Sequence, residues 1–315
     1  MSCSGSAGYQ GYLLTCGRVL PYLTSDLTKV KEILPSQSIH GGGVSQTNPI
    51  FRSPHNFAQG RIIVEGSVST EIFGGTGNYA TAWLDMFKRA VPSQTDDSFV
   101  CDGFDSACRL IFSPGGGSEI VVPAAAAAQG KALIASVELR GNNGGVVQST
   151  FRIIGAGADY NNSNSNKPSA SALQFETAGS SDDSNPIPYW ASNFSPTGTG
   201  ESGTLADRIT DWNLTISNNP VPIYTFNGEQ FPQDIILGMQ QVSGSFSYYS
   251  ADGTFVEDLT HGAVITITFG TITVTVPFVG FGRCPIPSPG PNNPTIRTVE
   301  FLGFAKSGSP ACYYA

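Results

Sequence analysis

Apolar and polar residues alternate with a period of two along much of this chain. From Gly60 to Ile72 the positions Ile62, Val64, Val68 and Ile72 are apolar, and Arg61, Glu65, Ser67, Ser69 and Glu71 are polar. Ile63 is the one exception. Such alternation predicts a strand with one dry and one wet face. Residues 263–277 repeat the pattern: Ile265, Ile267 and Phe269 alternate with Thr266 and Thr268, and Ile272, Val274 and Val276 with Thr273 and Thr275. The break at Gly270–Thr271 makes this a predicted β-hairpin.

Helical periodicity is scarce. Trp83, Met86 and Phe87 share one face at helical spacing, which predicts a short core-facing helix over 81–91. A second short helix is expected over 24–34, with Ser25 or Asp26 as its cap and Pro35 as its stop. The polar stretch 159–207 has the composition of a linker, apart from an extended segment at SALQFETAG.

The two halves repeat one another. TNPIF at Pro49 returns as SNNPVPIY at Pro220, and GRIIVEGSVSTEIF around Gly66 as DIILGMQQVSGSFSYYS around Gly244. LIFSPGGGSEIVVP, ending at Pro123, returns as ITITFGTITVTVP, ending at Pro277, and SVELRG at Glu138 as TVEFLG at Glu300. Four matches in one order indicate a duplicated unit.

Composition narrows the functional classes. At 315 residues and 40% hydrophobic, the chain can build a sizeable core. Only 13% of residues are charged, which suggests that much surface is covered by partners. A net charge of −8 disfavours a nucleic-acid reader, because affinity for phosphates needs cations. No segment has the length and apolarity of a membrane span, and the opening MSCSGSAGYQGYLLTCG lacks the basic start of a signal peptide.

Catalytic chemistry is hard to place. Nucleotide-binding loops, zinc motifs, calcium loops and nucleophile elbows are missing. Gly41–Gly43 and Gly115–Gly117 read as turns, since no lysine and helix follow them. Asp96, Asp97, Asp102 and Asp105 read as a solvated loop, because their order matches no ligand set. His40, His55 and His261 are scattered. The cysteines Cys3, Cys16, Cys101, Cys108, Cys284 and Cys312 form no CxxC pair and are expected to be mostly thiols, with a Cys101–Cys108 closure as the one guess. Trp212, Phe246, Tyr248 and Tyr249 are expected in a core or a subunit interface. No catalytic, cofactor-binding or metal residues are therefore assigned, and no cofactor is expected.

The second half, with DWNLTISNNPVPIYTF, then FPQDIILGMQQVSGSFSYYS, the Thr/Ile hairpin and TVEFLGFA, resembles the tail tube proteins of long-tailed bacteriophages. The first half, with AQGRIIVEGSVSTEIF and TAWLDMFKRAV, is similar to the opening of duplicated members of that group. The resemblance covers about 37–157 and 205–306. It implies a mainly β fold of two tandem β-sandwich or β-barrel units, each with a short flanking helix, whose inner strands form a ring-shaped barrel on oligomerisation. The units expected are 37–158 and 205–308, with an N-terminal arm at 1–36, an insertion at 159–204 and a tail at 309–315.

The implied function is structural: homotrimeric, pseudo-sixfold rings, or hexamers as the alternative, stack into the tail tube and conduct the genome during ejection. Expected lumen-facing residues are Glu65, Ser67, Ser69, Glu71, Ser243, Ser245 and Ser247, whose acidic, hydroxyl-rich surface lets DNA slide. The implied partners are further copies of the chain, tape-measure protein and DNA held transiently without sequence-specific binding, terminator and baseplate proteins, and a sheath as a further candidate, with no membrane anchor. The implied place is the virion, after assembly in the host cytoplasm. A baseplate hub or distal-tail protein, and a capsid-decoration or carbohydrate-binding β-sandwich, are the alternatives.

Overall fold

Strands numbered β1 to β19 along the chain fall into two sheets and one ribbon. The structure, a computed structural model, describes residues 12–35, 57–75, 77–94, 103–105, 107–115, 118–123, 131–161, 166, 186–197, 205–226, 230–250, 262–282, 295–306 and 308–315.

The smaller sheet has five strands: β1 (Tyr12–Thr15), β2 (Arg18–Val19), β6 (Leu110–Gly115), β7 (Ser118–Val122) and β10 (Asp159–Asn161), in the order β10-β7-β6-β1-β2. The larger, 12-stranded sheet takes β3 (Thr24–Ser25), β4 (Thr28–Pro35), β5 (Phe57–Glu71), β8 (Ala132–Asn142), β9 (Gln148–Gly155) and β11 (Ser192–Thr197). From the second half it adds β12 (Ile209–Ser217), β15 (Gln241–Ser250), β16 (Ala263–Phe269), β17 (Ile272–Phe281), β18 (Thr295–Gly303) and β19 (Tyr313–Tyr314). Its order is β11-β16-β17-β18-β15-β12-β8-β9-β5-β3, with β4 also on β5 and β19 on β17. The ribbon is β13 (Val221–Ile223) with β14 (Asp234–Ile236). The fold is mainly β and sandwich-like, as expected, and the large sheet is open rather than closed into a barrel.

The period-two readings correspond to strands. β5 covers the 60–72 pattern, and β16 and β17 form the hairpin around Gly270, whose φ of 60° suits the first position of a two-residue turn. The helix α1 (Asn78–Lys88) starts three residues before the expected 81 and buries Trp83, Met86 and Phe87. Trp83 stacks on Phe87 at 5.0 Å and meets Phe269 edge-on at 5.6 Å, while Phe87 meets Tyr314 at 6.0 Å. The helix of the first half thus packs on strands of the second. One core cluster draws on both sheets and α1, and the halves also pair directly through β8 and β12 from Ser136↔Ser217 to Asn142↔Asp211.

Three expectations are corrected. Residues 24–34 form β3 and β4, not a helix, because both strands pair with the long edge of β5, from Thr24↔Ser69 to Pro35↔Phe57. That ladder satisfies every other backbone group on the segment's inner side and overrides a weak local propensity. Cys108 is bonded to Cys16, with Cα atoms 4.4 Å apart, instead of to Cys101, which lies outside the described residues. The cause is the β1–β6 register: Thr15↔Leu110 brings the next turn, Cys16, alongside Cys108. Finally, the supposed linker contributes β10 and β11. β11 runs along β16 from Ser192↔Phe269 to Thr197↔Val264 and seats Phe194 on Trp212 at 5.6 Å. The segment SALQFETAG lies outside the described residues.

Candidate functional site

Alternation along each strand gives the large sheet one dry face, which carries the core, and one polar face. The registers align the polar side chains of β5, β9, β8, β12, β15 and β18 in cross-strand rows. One row reads Ser69–Thr150–Glu138–Thr215–Ser243–Leu302, and the next reads Glu71–Gln148–Arg140–Asn213–Ser245–Glu300. A third joins Ser67–Arg152–Ser136–Ser217–Gln241, and a fourth joins Asn142–Asp211–Ser247–Thr298. Six strands at about 4.8 Å spacing make this face about 24 Å across.

All seven residues singled out from the sequence share this face, with Glu65 in the outermost row opposite Ile154. Glu65 and Ser243 are exposed, and Ser67, Ser69, Glu71, Ser245 and Ser247 are half-buried among their neighbours. The hydroxyls form ladders across the strands: Ser69 with Thr150 at 3.0 Å and Ser247 with Thr298 at 2.9 Å. The Asn213 amide donates to Ser245 Oγ at 3.0 Å and accepts its backbone N–H at 2.9 Å. Ser67 is the least available of the seven, because its hydroxyl donates to the Asp26 carboxylate at 2.9 Å and its backbone N–H to the same oxygen.

Five carboxylates stand on these strands' polar face, Glu65, Glu71, Glu138, Asp211 and Glu300, against the three guanidiniums of Arg61, Arg140 and Arg152. Neither ion pair found among the described residues, Arg18–Asp85 or Lys131–Asp234, involves Glu65 or Glu71. The face is therefore acidic and rich in hydroxyls and amides. Glu138, Arg140, Arg152, Asp211, Asn213, Thr215 and Glu300 were not among the seven. The same period-two signal in SVELRG, DWNLTIS and TVEFLG points to most of them.

The odd residue Ile63 now has a cause. It lies on the polar side, where the β13–β14 ribbon folds over the end of the face, and a small cluster of Leu133, Ile154, Ala156 and Ile235 shelters it. Trp212, Phe246 and Tyr248 lie in the core on the opposite side, while Tyr249 is exposed.

Among the described residues no three His, Cys, Asp or Glu side chains gather as metal ligands, and no helix is long and apolar enough to cross a membrane. His40, His55, His261, Asp96, Asp97, Asp102, Gly41–Gly43, Cys3 and Cys284 lie outside the described residues. Asp105 is a turn residue whose carboxylate accepts the backbone N–H groups of Cys108 and Ala107, which hold its pKa below the usual value.

No curated protein matches the chain. The family model of the phage tail tube proteins matches residues 27–303, which takes in strands of the polar face from β5 to β18. The chain belongs to the phage tail tube protein family.

Proposed function

We propose that this chain polymerises as stacked rings into the tail tube, and that the polar face of its large sheet lines the conduit for genome ejection. Members of the family are structural components of the virion that self-assemble into a tube with other tail components. The observation carrying the finer reading is the set of cross-strand rows, which merge residues of both halves into one acidic, hydroxyl-bearing surface. Carboxylates repel phosphates and outnumber the guanidiniums beside them, and the hydroxyl ladders add no further cation for phosphates to pair with. A lining of this kind conducts tape-measure protein and DNA without retaining either.

The duplicated units, 37–158 and 205–308, support three chains per pseudo-sixfold ring, with six chains as the alternative. Gly66 and Gly244, matched between the halves, are both crowded by neighbouring backbone, the turn between β3 and β4 at the first and β12 at the second. A Cβ would lie 2.5 Å from Leu27 Cα at the first and 2.4 Å from the Asn213 carbonyl oxygen at the second. Glu138 and Glu300, also matched, are both exposed on the polar face. Terminator and baseplate proteins, and a sheath in a contractile tail, are the further partners, met during assembly in the host cytoplasm.

Electron cryomicroscopy of tubes grown from purified protein tests the reading. We expect three chains per ring and inward-facing Glu138, Thr215 and Ser243. Tubes with this face turned outward would overturn the lining, and six chains per ring would overturn the trimer alone.

A further inference from the structure

The Cys16–Cys108 bond lies at the rim of the small sheet. Cys16 sits in the turn between β1 and β2, and Cys108 stands just before β6. Both are half-buried, and the neighbours Gly17 and Arg18 are exposed, which leaves the bond open to small solutes. Cys312, by contrast, is fully buried.

One cation touches both sulfurs. Arg89, the C-cap of α1, donates through Nη2 to Cys108 Sγ at 2.9 Å and to Cys16 Sγ at 3.4 Å. Its Nη1 donates to the Gly103 carbonyl, and its guanidinium lies over the Phe104 ring at 4.8 Å, so the charge is held in place. Asp105, the acid of the same turn, uses its carboxylate on the backbone N–H groups of Ala107 and Cys108. A neutral sulfur is a weak acceptor, whereas a thiolate is a full anion. A charged donor fixed on both atoms therefore stabilises the reduced pair more than the closed bond, which makes the bond easier to open.

We propose that Cys16–Cys108 is a reversible redox site that exchanges with small thiols of the glutathione class, with Arg89 favouring its open form. A glutathione thiolate attacks Cys16 Sγ, the sulfur farther from the guanidinium. The S–S bond breaks, and its electron pair leaves on Cys108 Sγ as a thiolate facing Arg89 Nη2. A second glutathione thiolate attacks the glutathione sulfur of the mixed disulfide, releasing the Cys16 thiolate and glutathione disulfide. The same steps in reverse, with glutathione disulfide as the oxidant, close the bond. Opening leaves the β1–β6 register from Tyr12↔Ser113 to Thr15↔Leu110 and the Arg18–Asp85 ion pair in place, so the hairpin loosens without leaving the sheet. The hairpin is then free to adjust while rings form in a reducing host cytoplasm and is tied once the virion meets an oxidising medium. That timing, unlike the exchange itself, rests on the function proposed above.

The test is a titration of the purified full chain against graded ratios of glutathione to glutathione disulfide, quenched in acid, alkylated after denaturation and mapped by peptide mass. At the ratio of a reducing cytosol the 16–108 pair should be mostly dithiol, and in air-equilibrated buffer mostly disulfide. A pair that stays oxidised at the cytosolic ratio overturns the proposal, whatever the variants do. Arg89→Met should shift the ratio of disulfide to dithiol at a fixed glutathione poise at least about tenfold toward disulfide, and Arg89→Lys, which keeps the charge, should recover part of that shift. An unchanged ratio in Arg89→Met overturns the role given to Arg89. Acid trapping in producing cells and in finished tubes reads the timing: dithiol in the cell and disulfide in the tube is expected, and disulfide in both overturns it. A chain that exchanges as expected yet forms no tubes keeps the site and loses the timing together with the proposed function.

Discussion

Ser69 and Ser243 stand in one cross-strand row of the large sheet, linked through Thr150, Glu138 and Thr215. One comes from the first half of the chain and the other from the second, so the polar face is continuous across the two halves. On the proposed reading, that continuity lets a single chain offer an uninterrupted segment of lining.

Reversing the charge of that face should change how tubes treat DNA and leave the fold alone. Glu138→Lys with Glu300→Lys places cations among the remaining acids at two exposed positions. Assembled tubes should then retain short duplex DNA about tenfold more strongly at low salt, with the difference fading as salt rises. Co-sedimentation of labelled duplex with tubes is the measurement, and equal retention would exclude this face from the lumen.

Gly66→Ala and Gly244→Ala should each destabilise the protein by about 1–3 kcal/mol in chemical denaturation, since overpacking forces strands apart. The added methyl at 244 meets the Asn213 carbonyl oxygen at 2.4 Å and the Phe301 ring at 2.5 Å, while at 66 it meets the Leu27 backbone. The match between the two glycines was visible in the text of the two halves. The reason for glycine at both places was not, because it depends on which backbone lies alongside.

Trp83→Ala should cost about 3–5 kcal/mol by the same measurement. Its indole is fully buried, stacks on Phe87 and donates to Ser149 Oγ at 2.8 Å. Trp83→Phe should lose less, about 1–3 kcal/mol, mostly by leaving the buried Ser149 hydroxyl without that donor.

Cys312 is fully buried, and burial pushes its thiol pKa well above the usual value, so the reactive thiolate is suppressed. Native protein at pH 8 should leave Cys312 unmodified by iodoacetamide, while denatured protein should react; mass mapping distinguishes the two. Cys16→Ser with Cys108→Ser removes a link across a sequence separation of 92 and should lower stability by about 2–5 kcal/mol.

The Asp105 carboxylate is held below its ordinary pKa, first by the backbone N–H of Cys108 and then by that of Ala107. A depressed folded-state pKa stabilises above the unfolded value near 4, and the contribution is lost as pH falls through the folded value. The 105–108 turn should therefore loosen only in acid below about pH 4, and Asp105→Asn should remove that dependence. Hydrogen exchange of the Cys108 amide against pH reports it.

Strand identity in β5, β12, β15, β16, β17 and β18 was legible because half-buried strands carry their own signature: each residue's polarity reports its face. The helix at Trp83 was legible for the same reason at a different period. Lys29, Val30 and Lys31 carried no such record. Their helix-like text became β4 because an edge of β5 lay open to them, and pairing is a property of two segments. Cys16 met Cys108 through the β1–β6 register, and Phe194 gave the polar stretch a strand through contact with Trp212. The seven residues singled out from the sequence could be assigned to wet faces from local alternation. Their union into one acidic surface arose from the order β5-β9-β8-β12-β15-β18, since local periodicity encodes which way a side chain points and says nothing of which strand stands beside it.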